Sequence, residues 1–393
     1  MPAFKIGVVG GSLGGLTAAC LLRDAGHNVT IFERSSRQLE ERGAGIGFLP
    51  ATYRYPVERG EIDLDAISIE TDHIRYLNRD GSVELDQQHR YLFSSWNTVY
   101  RSLLGCFDQD RYLLGHELVD FAQTPDQVTA RFSNGETFDG DLLVAADGIG
   151  SMVRARLQPD SVTRYAGYVA WRGMVAESAV DPEVVKRLGD AVTYCVYANS
   201  HILVYPIPSV SGSVEAGQRL LNFVWYRNYA EGGDLNDLLT DRAGLTRELS
   251  VPPGAVADHH VAELRATAAA RLPWQIEAVV AATEEPFLQT IYDIEVERMA
   301  FDRICLVGDS GFAIRPHAAA GTAKAADDAW QLVEALDAHP GVTEALAAWE
   351  PSQLALGRNL TERTRRVGRR SQVENNWQPG DPENIFGLHR PGD

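Results

Sequence analysis

Three short segments carry the residue types that could hold a redox dinucleotide. Gly10-Gly11-Ser12-Leu13-Gly14-Gly15 follows an apolar run near the N-terminus, Asp147-Gly148 follows a second run, and Gly308-Asp309 follows a third. In the first segment, glycines let the backbone turn sharply and approach a pyrophosphate. The helix that follows offers its free N–H groups to that charge. Gly10 and Gly15 hold the first and third glycine places, and Ser12 stands at the middle one, small and able to donate a hydrogen bond. Glu33 closes the next apolar run, where an acid accepts hydrogen bonds from ribose hydroxyls. The alternative there is a solvated acid at a strand end. A lone glycine-rich turn is weak evidence; three such segments in this order point to FAD.

The elements needed to position these groups follow from the pattern. Lys5–Val9 reads as a buried parallel strand, 16–25 as a helix ending at Gly26, and 28–32 as a second strand. That is a βαβ unit of dinucleotide-binding length. Residues 41–50 are glycine-rich and read as a loop, 73–77 and 82–85 as strands about Asp80-Gly81, and 96–107 as a helix. A hairpin is expected around Ser133-Asn134-Gly135 and a buried strand at 142–146. From 168 to about 223 the texture changes to short β-type runs, which suggest an antiparallel sheet. Helical texture extends to about 282, a buried strand returns at 303–307, and helices are expected at 324–336 and 342–370. The expected fold is α/β, a Rossmann-like FAD-binding domain with a mainly antiparallel β-sheet substrate domain. The FAD domain is expected to be discontinuous (1–75, 96–170 and 285–372), with 76–95 and 171–284 as the substrate domain and 373–393 as an irregular tail.

At 393 residues with 45% hydrophobic residues the chain can build a sizeable core. A net charge of −18 argues against a general nucleic-acid binder, which needs clustered Lys and Arg. The four cysteines form no CxxC pair, which suits a reduced, cytoplasmic protein. The N-terminus runs straight into a strand, so no leader is expected, and no apolar run has membrane-spanning length. No metal site is expected.

The second and third motifs, extended through Met152-Val153-Arg154 and through Pro316-His317-Ala318-Ala319-Ala320-Gly321 and Asp327-Asp328-Ala329, closely resemble those of the single-component (group A) FAD-dependent aromatic hydroxylases. The resemblance covers nearly the whole chain. It implies hydroxylation of an electron-rich aromatic ring with O2 and NADH or NADPH, by way of a flavin C4a-hydroperoxide. By position it assigns Asp147 and Gly148 to FAD and the nicotinamide donor, Asp309 to the ribityl chain, and Ala319, Ala320, Gly321, Thr322 and Ala323 to the pyrophosphate, ribityl chain and flavin ring. Arg34, Arg42, Arg101 and Leu118 join Gly10, Ser12, Leu13, Gly14, Gly15 and Glu33 as cofactor-binding candidates, with Tyr100 as an alternative to Arg101. The chain departs from the family where Ser310-Gly311-Phe312 replaces Ala-Ala-His, and where Ala319 and Ala323 replace a glycine and an asparagine. The family also implies a small aromatic or N-heteroaromatic substrate, and leaves a homodimer open.

Tyr165 through Gly173, His201 through Pro208, Arg315 through Gly321 and Phe386-Gly387-Leu388 look like the branch of that family that hydroxylates hydroxypyridines. There a His and a Tyr four residues apart on one strand contact the substrate; here these are His201 and Tyr205. Residues i and i+4 of a strand share a face. A histidine with an ordinary pKa near 6.5 can take a ring proton at neutral pH, and a tyrosine can hydrogen-bond or relay it. Core packing is the alternative for both. His317, beside the flavin loop, is a third catalytic candidate, with a structural histidine as the alternative. Trp225 and Gly47 are candidate substrate-pocket residues, and packing is the alternative for Trp225 with its neighbour Tyr226. A histidine that related enzymes carry after the first acid is missing, Gly45-Ile46-Gly47-Phe48 standing there. Arg363, Arg365, Arg366, Arg369 and Arg370 read as a solvated helix face or subunit contact. A flavin halogenase, a flavin reductase and a non-catalytic FAD-binding regulator stay open as alternatives. The halogenase segment Trp-x-Trp-x-Ile-Pro is absent.

Overall fold

The computed structural model describes residues 3–40 and 44–393. The first layer is a six-stranded sheet. Its order is Ala300–Phe301, Ile304–Leu306, Leu142–Ala145, Lys5–Val9, Asn28–Glu33 and Tyr112–Leu114, parallel except for the outermost hairpin of Ala300–Phe301 with Ile304–Leu306. The central strands are continuous apolar runs because helices and a small hairpin sheet cover both faces. Helix Leu13–Asp24 packs on this sheet and against helix Gly321–Ala338. It begins earlier than the expected 16, because Gly14 and Gly15 lie within its first turn.

The second layer is a nine-stranded sheet. Its order is Ser250–Val251, Phe287–Asp293, Arg164–Ala176, Leu220–Asn228, Ser200–Ile207, Ala191–Tyr197, Ile69–Leu77, Val83–Ser95 and Gly45–Gly47. It is antiparallel except where Ala191–Tyr197 pairs with Ile69–Leu77. The strand Val83–Ser95 far outruns the expected 82–85, since its polar half lies at the half-exposed end of the sheet. The glycine-rich stretch read as a loop contributes the edge strand Gly45–Gly47, paired with Phe93 to Ser95. Strands Ile69–Leu77 and Arg164–Ala176 run through the divisions expected at 75/76 and 170/171, and each lies wholly within this second sheet.

This sheet is buried on both faces. On one, Val169, Trp171, Ile202, Val204, Phe223 and Trp225 form a core under helices Asp258–Arg271 and Trp274–Ala282. Each large apolar side chain buried there contributes about 1.5–3 kcal/mol. The other face carries Tyr168, Leu203, Tyr205, Val224 and Tyr226 and turns toward the nucleotide layer. The 31-residue helix Val342–Gln372 runs past it, and the segment after it folds back so that Trp377, Phe386 and Leu388 join this second core.

Candidate active site

A cavity of about 540 Å³ lies between the two layers. At one end it is lined by Ser12, Leu13, Gly14, Gly148, Asp309, Ala319, Gly321 and Thr322, and at the other by Arg172, His201, Tyr205, Tyr226, His317, Trp377 and Phe386.

The first end is built for an anion. Gly10 takes φ +102°, and a side chain there would run into the Ala146 carbonyl, as one at Gly15 would run into that of Gly10. The backbone therefore turns as tightly as glycine allows. Helices Leu13–Asp24 and Gly321–Ala338 both start at the cavity. Neither has a side-chain N-cap or an acid in its first turn, so their N-terminal N–H groups are left for a ligand. Glu33 is buried and accepts from Gly11 N and Ser35 N, both at 2.8 Å. A carboxylate offers about four lone-pair sites, so acceptor capacity remains. Asp147 Oδ1 is buried without a partner among the described residues, and burial raises that carboxyl's pKa. Asp309 opens onto the cavity yet is ringed by protein, which pushes its pKa up to about 6, opposed by Lys324 and Arg154. Behind it, buried Lys324 pairs with Asp328 at 2.7 Å, and Asp328 accepts from Gly308 N at 2.8 Å. That holds Gly308 at φ +66° and so aims Asp309. Tight turns, free helix N-termini and spare carboxylate acceptors are the donor and acceptor set that FAD requires.

The second end is set by sheet alternation. His201 and Tyr205 share one face of Ser200–Ile207, with Tyr226 opposite His201 and Asn222 opposite Tyr205. His317 comes from the turn before helix Gly321–Ala338, and its ring centre is 5.4 Å from that of His201. His201 also stacks on Trp377 at 4.9 Å and meets Gln372 Nε2 through Nδ1 at 3.2 Å. Burial drives its pKa down to about 3, and burial drives that of His317 well below the usual range. Both rings are neutral at pH 7. Tyr205 donates its proton to the Gly45 carbonyl at 3.0 Å and stacks on Phe93 at 4.2 Å. It therefore presents a ring and an acceptor oxygen to the cavity. Arg172 donates to the neutral acceptors Gln289 Oε1 (3.0 Å) and Gly45 O (2.7 Å) and lies beside the Tyr205 hydroxyl, and its Nε is buried without a hydrogen-bond partner among the described residues. The cavity's single acidic lining residue among those described is Asp309, at the other end.

The remaining candidates are placed as follows. Gly47 lines the cavity. Ala320 and Ala323 are fully buried beside it. Arg34 is exposed at a strand end, and Leu118 is in the main core. Arg101 contacts Glu40 at 3.4 Å and the Val210 carbonyl at 3.1 Å. Tyr100 is buried against Tyr112 and Leu39. Arg42 lies outside the described residues. Trp225 is corrected: alternation turns it to the opposite face, where Nε1 donates to Ser200 Oγ at 3.0 Å and Tyr197 Oη at 3.2 Å. Its neighbour Tyr226 is the aromatic that faces the cavity. Arg172, Tyr194, Trp377 and Phe386 are lining residues that sequence reasoning did not assign. Counting by two from Tyr168 would have found Arg172; nothing local marks Trp377.

Comparison with known proteins agrees with this geometry. An FAD binding domain-like model matches residues 165–293, and an NAD(P)-binding Rossmann-like model matches residues 8–38. The chain is 36% identical over 389 residues to 2,6-dihydroxypyridine 3-monooxygenase of Paenarthrobacter nicotinovorans, covering 98% of this chain and 96% of that protein. It is 30% identical to 3-amino-4-hydroxybenzoate 2-monooxygenase of Streptomyces cremeus, covering 92% and 86%. The solved structure of 2,6-dihydroxypyridine-3-hydroxylase from Arthrobacter nicotinovorans superposes with a TM-score of 0.93 at 35% identity, covering 98% of this chain and 97% of that one.

Proposed function

The chain belongs to the FAD-dependent aromatic monooxygenases, and from that premise we propose that it hydroxylates a hydroxypyridine, with a 2,6-dihydroxypyridine-like ring as substrate. The observation that carries this reading is the neutral histidine pair with Arg172, set among aromatic walls at the end of the cavity away from the nucleotide turns. Hydroxypyridines carry ring nitrogen and oxygen groups that give and take hydrogen bonds, which matches such a lining better than a plain phenol does. The relative from Paenarthrobacter supports the same choice.

When bound, FAD reduced by NAD(P)H supplies from O2 the electrophilic oxygen atom, the second atom leaving as water. The residues do the rest. The two helix N-termini and the Gly10 turn hold the pyrophosphate, Glu33 the ribose hydroxyls, and Asp309 the ribityl chain. Arg172 lowers the cost of ionising a ring hydroxyl, because its charge is matched by no acid at that end. His201, resting neutral, accepts the ring proton at Nδ1 in exchange for its bond from Gln372 Nε2, and only as part of an ion pair with the ring anion it creates. Tyr226, Trp377 and Phe386 close the ring off from water. The four cysteines are unpaired, which supports placing the protein in the reducing cytoplasm. No helix among the described residues is long and apolar enough to cross a membrane.

The test is a panel of hydroxypyridines and phenols, scored for substrate-stimulated NAD(P)H oxidation and for product carrying one ¹⁸O from ¹⁸O2. Coupled turnover is expected with a dihydroxypyridine. Coupled turnover with phenols alone would reject the substrate assignment, and label-free oxidation would reject hydroxylation.

A further inference from the structure

Tyr168, Asp293, Arg315 and Gly368 form a connected arrangement that ends at Nε2 of His317. Tyr168 Oη lies 2.7 Å from it. Arg315 lies against the same tyrosine, its guanidinium carbon 5.6 Å from the ring centre, and its charge acts on the phenol oxygen. Asp293 clamps Arg315 through two contacts, Oδ1 to Nε at 3.0 Å and Oδ2 to Nη2 at 2.8 Å, and takes a third from Arg365 at 3.0 Å. Gly368 completes the arrangement from near the C-terminal end of helix Val342–Gln372. A Cβ there would sit 2.7 Å from both His317 Nε2 and Tyr168 Oη. Glycine inside a helix costs about 1 kcal/mol against alanine, and here that cost leaves room for the pair.

The hydrogen-bonding roles follow from what each group can do. Tyr168 has no acceptor for its O–H other than His317 among the described residues, and the Arg315 guanidinium beside its ring only donates, so the O–H points to His317. Nε2 of His317 is then an acceptor, which leaves the ring proton on Nδ1. That nitrogen is buried with no partner among the described residues, on a ring that lines the cavity.

We propose that Asp293, Arg315 and Tyr168 are positioning residues that lock His317 in its Nδ1–H tautomer, so that it donates a hydrogen bond to an acceptor oxygen or nitrogen of the substrate ring. The substrate half of this statement rests on the proposed function; the tautomer half does not. His317 is thereby a recognition donor, distinct in role from His201.

The tautomer is read from long-range ¹H–¹⁵N spectra of the FAD-loaded full chain with ¹⁵N-labelled histidine, the His317 signals being identified by their loss in His317→Gln. The wild type is expected to show a protonated Nδ1 and a bare Nε2. Tyr168→Phe removes the O–H that holds Nε2 and is expected to shift the ring to the Nε2–H form or to an exchanging mixture. Gly368→Ala, which pushes the pair apart, is expected to do the same. A 2,6-dihydroxypyridine titration followed by flavin absorbance should show binding weakened about ten- to hundredfold in Tyr168→Phe. An Nε2–H wild type overturns the proposal, whether or not either variant folds, and so does a tautomer unmoved by Tyr168→Phe. Failure of the wild type to hydroxylate any hydroxypyridine would instead count against the proposed function, because the tautomer is measured without substrate.

Discussion

Ala319 holds a left-handed backbone, φ 53° and ψ 22°, at the mouth of the flavin loop. An L-residue there costs about 1–2 kcal/mol, and the glycine usual at this place in the family would avoid that cost. Its methyl also occupies space: a Cβ built on Gly47 would sit 2.6 Å from it. Gly47→Ala should therefore destabilise the protein by about 1–3 kcal/mol through overpacking, and Ala319→Gly in the same chain should restore most of it. Ala319→Gly alone should be neutral to slightly stabilising, since relief of strain is offset by a floppier unfolded chain. Urea unfolding of the four proteins gives the coupling; additive effects would mean the two positions do not touch. His201 yields a second residue-scale prediction. Its folded pKa of about 3 lies below the ordinary 6.5, so between those values the unfolded chain binds a proton that the folded one refuses. Stability from this group is complete above pH 6.5 and is lost as pH falls toward 3. From pH 6.5 to 5.0 the loss is at most about 2 kcal/mol. Asp309 and Asp328, raised to about 6, act in the opposite direction over pH 6 to 4. The clean quantity is therefore a difference: flavin-free His201→Asn should lose less stability than flavin-free wild type between pH 7 and pH 5. Equal losses would show that His201 is not held neutral by burial.

At the scale of elements, the helix Val342–Gln372 and the segment after it work as one wall. The arginines expected to form a solvated face are committed within the chain. Arg363 donates to the Gly387 and Ile385 carbonyls, Arg366 pairs with Glu383 at 2.7 Å, and Arg370 with Asp381 at 2.8 Å. These contacts pin the last residues so that Trp377 and Phe386 face the cavity. Removing residues 376–393 should leave FAD bound, because the segment's contact with the nucleotide end is to the backbone of the loop, Gly387 N to the Ala318 carbonyl, and not to the Gly10 turn or Asp309, but should uncouple turnover. NAD(P)H would still be oxidised while product per NAD(P)H falls severalfold and peroxide rises. A truncated enzyme that stays coupled would show that the segment only decorates the surface. This wall was not legible in the sequence, where the segment looks irregular. Its order comes from arginines and carbonyls far apart in the chain, and no periodicity records them. The face chosen by Trp225 was hidden for a different reason. Strand Leu220–Asn228 is buried on both sides and carries polar residues on each, Asn222 on the Tyr226 side and Arg227 on the Trp225 side, so polarity does not mark which side is which. By contrast, Lys5–Val9, Leu142–Ala145 and Ile304–Leu306 were legible because fully covered parallel strands must be apolar throughout.

For the whole molecule, the two layers enclose a cavity whose one end carries the glycine turns and helix N-termini that suit FAD. The three motifs there were legible because glycine geometry and helix termini are written locally in sequence; the ring end was legible only as two histidines and a tyrosine. The same logic separates a residue kept for the cofactor from one kept for the fold. Asp309 is exposed to the cavity, and the protein around it raises its pKa to about 6, so its carboxylate gains little from the fold when FAD is absent. Asp309→Asn removes that ionisable group and keeps the size. At pH 7.5 the flavin-free variant should therefore melt at the same temperature as flavin-free wild type, or higher. The FAD-bound variant should behave in the opposite way. An ionised acceptor for the ribityl hydroxyls contributes about 1.5–3 kcal/mol, so FAD affinity should drop by about ten- to hundredfold. Because a ligand stabilises by RT ln(1 + [L]/Kd), a tenfold weaker affinity removes about 1.4 kcal/mol of stabilisation at a fixed saturating FAD concentration. Melting curves with and without FAD, set beside flavin titrations, give both numbers. The expected signature is a cofactor-dependent gain in melting temperature that shrinks while the flavin-free baseline holds or rises. A baseline that falls with unchanged FAD affinity would make Asp309 a structural residue and would remove the ribityl contact from the proposed site.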